Sequence, residues 1–83
     1  MNKIIFQPKA IKQLRKIPQA IDIYDKCETL KDFPNCPNIK ALKNHKYQYR
    51  FTVGNYRVLF NFKNGIMNII SIEEVKKRDD NTY

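Results

Sequence analysis

The sequence is poor in the residues that build most catalytic centres. It holds one histidine, His45, two cysteines, Cys27 and Cys36, and two glycines, Gly54 and Gly65. Cys27, Cys36 and His45 offer three metal ligands with no C-x₂-C spacing and no evident fourth, so no metal is expected. Two glycines cannot supply a P-loop or a dinucleotide fingerprint, so no cofactor is expected either. A secreted disulfide scaffold would carry four or more cysteines, so both thiols read as free in a reducing compartment. Cys27 falls on a helical stripe, where a small buried hydrophobe is a better reading than a nucleophile paired with a histidine. No apolar run approaches the ~15 to 20 residues of a signal peptide or membrane span, which makes a cytoplasmic location the expectation and a membrane no partner.

Length and acidity are short as well. A chain of 83 residues and 9.9 kDa is expected to form one domain over 1–83, with one small core. A TIM barrel and a large cofactor-binding sheet are excluded by size. Eight acidic residues face 16 Lys+Arg, giving a formal charge of +8 and a pI near 9.7. A field of that sign favours nucleic acid, an acidic membrane or an acidic protein, and predicts binding that weakens steeply with salt. The hydrophobic fraction of 42% is too high for a disordered basic tail.

Periodicity divides the chain in two. Lys3–Gln7 is β-branched and aromatic and reads as a short strand closed by Pro8. Apolar residues at 10, 11, 14 and 17 form a helical stripe that Pro8 can open and Pro18 ends. Ile21, Tyr24 and Cys27, widened by Ala20, Ile23 and Leu30, give a second helix over about 19–32. Residues 33–38, with two prolines and two asparagines, read as a loop ending near Ile39, with Leu42 placed on the core. The period then changes to 2. Tyr47, Tyr49, Phe51 and Val53 alternate with Gln48, Arg50 and Thr52; Tyr56, Val58, Phe60 and Phe62 alternate with Arg57, Leu59 and Asn61. Gly54-Asn55 and Asn64-Gly65 are the reversal signals, and Ile66–Ile72, extended by Glu73–Val75, is a third strand. The expected fold is α+β: a small, antiparallel-rich sheet made of the N-terminal strand and a C-terminal three-stranded meander, with two helices packed on one face.

The other face is expected to show Gln48, Arg50, Thr52 and Arg57, joined at the end by Arg78 and Tyr83, with the face of Arg57 relative to Arg50 left to the strand register. Glu73 and Glu74 are adjacent on a strand, which points them to opposite faces and argues against a shared carboxylate site. Arginine forks suit phosphates and tyrosines stack on unpaired bases, so RNA binding, an acidic protein partner and an ordinary solvated basic surface all remain open on composition. RNA also brings its own nucleophile, the 2′-hydroxyl. A cationic pocket that aligned it with the next phosphate could cut the chain, with a lysine or His45 as base, since arginine stays protonated.

The order and spacing of several short motifs carry a resemblance across nearly the whole chain. The first strand followed by Pro8-Lys9-Ala10-Ile11-Lys12-Gln13-Leu14, then Ala41-Leu42-Lys43, then Val53-Gly54-Asn55-Tyr56-Arg57-Val58-Leu59-Phe60, then Val75-Lys76-Lys77-Arg78 through Tyr83, resembles the RelE/ParE superfamily of bacterial and archaeal toxins. Within it the chain looks like the RelE-type messenger-RNA interferases. That resemblance implies a RelE-like fold and a ribosome-dependent endoribonuclease that enters the 30S A site. It would cleave messenger RNA through 2′-hydroxyl attack, with a cognate acidic antitoxin as inhibitor and the free toxin monomeric. By position, Arg57 matches the phosphate-stabilising arginine, Arg78 the group serving the leaving oxygen, and Tyr83 the tyrosine that orients a base. Arg50 and Gln48 fall where the better-studied ribonucleases carry lysines, which leaves His45 or Lys46 as the possible base. Lys43, Lys46, Gln48, Lys76 and Lys77 are the implied RNA or ribosome contacts. The resemblance also carries two other readings: a ParE-like poison of DNA gyrase, and a toxin homologue that only binds its antitoxin.

Overall fold

The computed structural model of the chain describes residues 2–78. Lys3–Phe6 forms β1, and Gln7 continues its ladder by donating its backbone N–H to Ile72 O at 2.8 Å. Pro8 then opens α1 (Pro8–Leu14), where its missing N–H is not needed. Ala10 and Leu14, one turn apart, turn into the core. The second helix, α2 (Ala20–Cys27), buries Ile23 and Cys27 at the same spacing, and its last stretch tightens into a 3₁₀ helix over Glu28–Asp32. The helix expected over 19–32 is therefore shorter, with Leu30 buried from the 3₁₀ turn.

Five strands pair in the order β1-β5-β4-β3-β2, with β2 Ile39–Ala41, β3 Tyr49–Val53, β4 Tyr56–Lys63 and β5 Ile69–Lys77. The first strand runs parallel to β5 and the other pairs are antiparallel. The loop over 33–38 ends at Ile39 as expected, and strand β2, which begins there, adds an element not expected from the sequence. Its three residues lack an alternation long enough to read, and the pairing with Tyr49–Phe51 is what makes it a strand. Gly54, at φ +55, opens the two-residue turn between Val53 and Tyr56, the place where a hairpin needs positive φ. The Asn64-Gly65 signal gives no tight turn. Lys63 pairs with Ile69, and Ile66 and Met67 lie exposed in the connection.

The helices cover one face. Phe51, Val58, Phe60, Ile70, Ile72 and Val75 from the sheet meet Ala10, Leu14, Ile23, Cys27 and Leu30. Phe33 closes this core at the β3 end. Its ring lies 4.9 Å from Tyr49, 5.4 Å from Phe60 and 5.2 Å from Phe62. Leu42 is half-buried and stands apart from this cluster, because the chain leaves β2 at that point and turns to the other side of the sheet.

Candidate functional site

Register fixes what the opposite face presents. Lys40 pairs with Arg50, Arg50 with Leu59, and Leu59 with Glu74, so these four make one row across four strands. The next row is Thr52, Arg57 and Lys76. Two like-charged pairs, Lys40–Arg50 and Arg57–Lys76, therefore stand directly across from each other on one face. Such pairs each repel by about 0.2–1 kcal/mol, a cost that Glu74, 3.6 Å from Lys76, offsets in part. Arg57 is 8% exposed and Arg50 is half-buried, so both guanidiniums lie low on the face while Lys40 and Lys76 stand exposed. The backbone of Arg78 donates to Asn55 O, which places it at the end of the same sheet, beyond Lys76.

A bulge puts both glutamates on this face. The β4–β5 register shifts between Leu59 and Phe60, so that Leu59 faces Glu74 while Phe60 faces Ile72. Glu73 is the extra residue, and its carboxylate accepts from Ser71 Oγ at 2.6 Å. Simple alternation would have separated Glu73 from Glu74; the inserted residue reverses the parity and corrects that expectation. Glu74 is 4% exposed and heavily coordinated. It accepts from Tyr47 Oη at 2.7 Å and Gln13 Nε2 at 3.2 Å, with Lys9 Nζ at 3.4 Å and Lys76 Nζ at 3.6 Å. Burial pushes its pKa up, but the bonds from Tyr47 and Gln13, then Lys76 and Lys9, outweigh burial and hold it down to about 2. Helix α1 reaches this point because it runs on beside β5 where β1 has ended. The Gln13 side chain takes the Val75 N–H at 2.7 Å, filling the open edge of β5.

Tyr47 is the unexpected member. The alternation that groups it with Tyr49 on the helix face fails, because β3 begins only at Tyr49 and residues 42–48 fold over the opposite face. Asn44 takes a positive φ of 53° in that segment, a conformation asparagine tolerates. Tyr47 and Leu59 are both buried, yet neither belongs to the main core. They make a second, smaller apolar layer, with the Tyr47 hydroxyl bound to Glu74. That bond, burial, and the negative field of Glu74 and Glu73 raise the Tyr47 pKa to about 12, so it is a neutral donor.

The other expected residues separate into groups. Lys43, His45 and Lys46 are exposed on the 42–48 segment. Lys46 Nζ lies 5.4 Å from the centre of the Tyr47 ring, and His45 Nδ1 accepts the Tyr47 backbone N–H at 3.0 Å. Gln48 plays a backbone-like part: its N–H donates to Asn61 Oδ1 and its Oε1 accepts the Phe62 N–H, both at 2.8 Å. Lys77 pairs with Tyr56 and so belongs to the helix-side parity, away from Lys76. Tyr83 lies outside the described residues. Lys40 and Thr52 join the face through pairing; Lys40 could be placed there only by knowing β2. Among the described residues, no group of three or more His, Cys, Asp and Glu comes together to hold a metal, and no helix is long and apolar enough to cross a membrane.

On the helix side, Phe6, Ile11, Leu14, Ala20, Ile21 and Tyr24 line an open apolar groove between α1 and α2. Ile21 is 78% exposed there, and the half-exposed Tyr24 stacks on Phe6 with ring centres 5.0 Å apart.

A five-stranded mixed sheet with two helices on one face and a cationic opposite face defines a small α+β protein of RelE-like fold. The family model described as ParE toxin of type II toxin-antitoxin system, parDE, matches residues 4–81, and the chain belongs to this family of the RelE/ParE toxin superfamily. Among solved structures, the fold is similar to a chain of the RelBE2 toxin–antitoxin complex from Mycobacterium tuberculosis. The TM-score is 0.71 at 21% identity, covering 93% of this chain and 98% of that one. It is also similar to a chain of the RelB–RelE antitoxin–toxin complex from Methanococcus jannaschii, with TM-score 0.60 at 24% identity and 88% of each chain covered. No curated protein matches the chain.

Proposed function

We propose that this toxin is a ribosome-dependent endoribonuclease that cuts messenger RNA in the 30S A site, in the cytoplasm, and is silenced by a cognate acidic antitoxin. The observation that carries the reading is the pair of like-charged cross-strand couples, Lys40–Arg50 and Arg57–Lys76, on one sheet face. Such a face is held more comfortably with an anion on it. The 2′-hydroxyl oxygen attacks the adjacent phosphorus, the bond to the 5′-oxygen breaks, and a 2′,3′-cyclic phosphate remains. Arg57, low on the face, stabilises the charge that builds on the phosphoryl oxygens, with Arg50 beside it in the next row. Arg78 serves the leaving oxygen, and Tyr83 orients a base. Lys43, Lys46 and Lys76 hold the flanking backbone, whereas Lys77, on the helix-side parity, and Gln48, engaged with Asn61 and Phe62, are not assigned a contact on this face. The proton of the 2′-hydroxyl passes to a group on the 42–48 segment or to water.

The antitoxin reading is supported by the two structural neighbours, both of which are toxin–antitoxin complexes, and by the groove between α1 and α2. Exposed Ile11, Ile21 and Tyr24 beside Lys12, Arg15 and Lys16 suit an amphipathic segment with acidic flanks. A second activity, poisoning of DNA gyrase, is favoured by the family description itself, which is that of the ParE toxin.

The test is cleavage of a defined transcript on purified 70S ribosomes, mapped by primer extension, with a lane lacking ribosomes. Cuts confined to the A-site codon and dependent on ribosomes are expected. An intact transcript in the presence of folded toxin and active ribosomes refutes the proposal. Supercoiling defects and DNA breaks in a gyrase assay would then support the second reading, and a protein inert in both assays would be an antitoxin-binding module.

A further inference from the structure

We infer that His45 meets the substrate as a hydrogen-bond donor through Nε2, and that Tyr47 and Glu74 are the positioning residues that hold it in that state. The inference rests on the RNA-cleaving reading and assigns a role within it. Its first support is local. The Tyr47 backbone N–H donates to His45 Nδ1 at 3.0 Å. A neutral imidazole has one donor and one acceptor nitrogen, so an Nδ1 that accepts leaves the proton on Nε2. A base acting through Nε2 needs the opposite tautomer, whose Nδ1–H would point at the Tyr47 N–H. In this arrangement His45 can give a hydrogen bond outward; to take a proton from a 2′-hydroxyl it must first break its own bond.

The second support is that the partner of Nδ1 cannot drift. Within residues 43–48 Tyr47 is the buried residue, and the residues on either side of it are exposed. Its hydroxyl is tied to Glu74 at 2.7 Å, and Glu74 is fixed in turn by Gln13 and Lys9 from α1. The tyrosine thus clamps the segment from both ends: its side chain to β5 and its backbone to the imidazole. The His45 ring lies 5.9 Å from the Tyr47 ring, centre to centre, and is otherwise exposed. An outward N–H on a cationic surface suits an anionic oxygen, here a non-bridging phosphoryl oxygen of the RNA backbone.

The inference makes the nature of the substitution matter. His45→Ala should lower cleavage on programmed ribosomes about tenfold, the size of one lost hydrogen bond to a charged group. His45→Gln, whose amide N–H reaches the Nε2 position, should recover most of that loss, although glutamine cannot act as a base. Tyr47→Phe keeps the ring and removes the tether. On that background His45→Ala should add clearly less than it does alone, because the two act as one unit. Thermal unfolding by circular dichroism checks that each variant is folded. A His45→Gln variant as inactive as His45→Ala overturns the donor role, and fully additive effects overturn the positioning role. The same variants are also tested for binding to ribosomes programmed with messenger RNA that is 2′-deoxy at the A-site codon and cannot be cut. Binding that follows the same order, without cleavage of ordinary messenger RNA, sustains the donor role and refutes the nuclease reading. Cleavage with no rescue by glutamine does the reverse, and absence of both binding and cleavage in the wild type overturns the two together.

Discussion

Replacing Glu74 by glutamine removes one charge from the buried centre of the sheet and leaves its shape. In the folded protein the carboxylate is held at a pKa of about 2, against an ordinary value of 4.5. Each unit of difference is about 1.4 kcal/mol, so the ionised form of this single group contributes about 3 kcal/mol to stability at neutral pH. A domain of this length has roughly 4–12 kcal/mol in all, which makes the share large. The folded pKa is depressed, so the contribution is complete above pH ~4.5 and is lost as the pH falls toward 2. Glu74→Gln should therefore be about 3 kcal/mol less stable than wild type at pH 7, with the gap closing to under about 1 kcal/mol at pH 2. Tyr47 and Gln13 reach different oxygens of Glu74, and glutamine keeps one acceptor oxygen and replaces the other by an amide donor, much as the protonated carboxyl does, which is why the acid-limit gap is small. The assay is urea unfolding by circular dichroism at half-unit pH steps. The other carboxylates titrate in both proteins and cancel in the difference. A gap that stays constant from pH 7 to pH 2, or is absent throughout, refutes the account of Glu74 as an ionised, multiply bonded hub.

Other perturbations address the remaining parts. Arg57→Ala should cut cleavage on programmed ribosomes by about 10²–10³, with the variant shown folded by circular dichroism; wild-type cleavage would remove Arg57 from the mechanism. Leu59→Ala should cost about 2–5 kcal/mol in urea unfolding although Leu59 lies outside the main core, and a loss below about 1 kcal/mol would deny the second apolar layer. Burial raises the Cys27 thiol to about 12 and also raises half-buried Cys36, with Glu28 and Asp32 adding in turn, so iodoacetamide should label Cys36 first and Cys27 only at the rate of unfolding, as read by mass spectrometry of digests. Ile21→Asp, at an exposed position, should leave the melting temperature unchanged and weaken the antitoxin complex by about tenfold or more in calorimetric titration; unchanged affinity would move the antitoxin off the groove.

The elements that announce themselves in the sequence are those whose side-chain period matches their burial. The alternation of Tyr56, Val58, Phe60 and Phe62 against Arg57, Leu59 and Asn61 is the two-faced β4 of the structure, and Pro8 does open the first helix. Three features escaped because they are set by partners far along the chain. Strand β2 exists through its ladder to Tyr49–Phe51. Tyr47 reads as a strand residue until the position of Glu74, 27 residues on, is known. The face of Glu74 depends on an extra residue in β5, which no local period reveals. The strand register, which the sequence left open, sets the arginines at 50 and 57 on one face, while Lys77 follows Tyr56 to the other parity.

That extra residue also explains how the cationic face folds without a ligand. Two like-charged couples side by side raise the cost of bringing β2, β3, β4 and β5 together. An anion beneath them lowers it, but an exposed carboxylate would also repel a polyanion from the same surface. The bulge resolves the conflict by setting Glu74 on the cationic face at 4% exposure, under Tyr47, where solvent barely reaches it. Lys76 is the link between the two requirements. It stands 3.6 Å from Glu74 with half of its side chain exposed, so it can turn outward to a phosphate. Glu74 would then keep Tyr47, Gln13 and Lys9 as partners and remain satisfied. The buried acid thus balances the face in this structure, and on the RNA-cleaving reading proposed above it would release one cation to a phosphate.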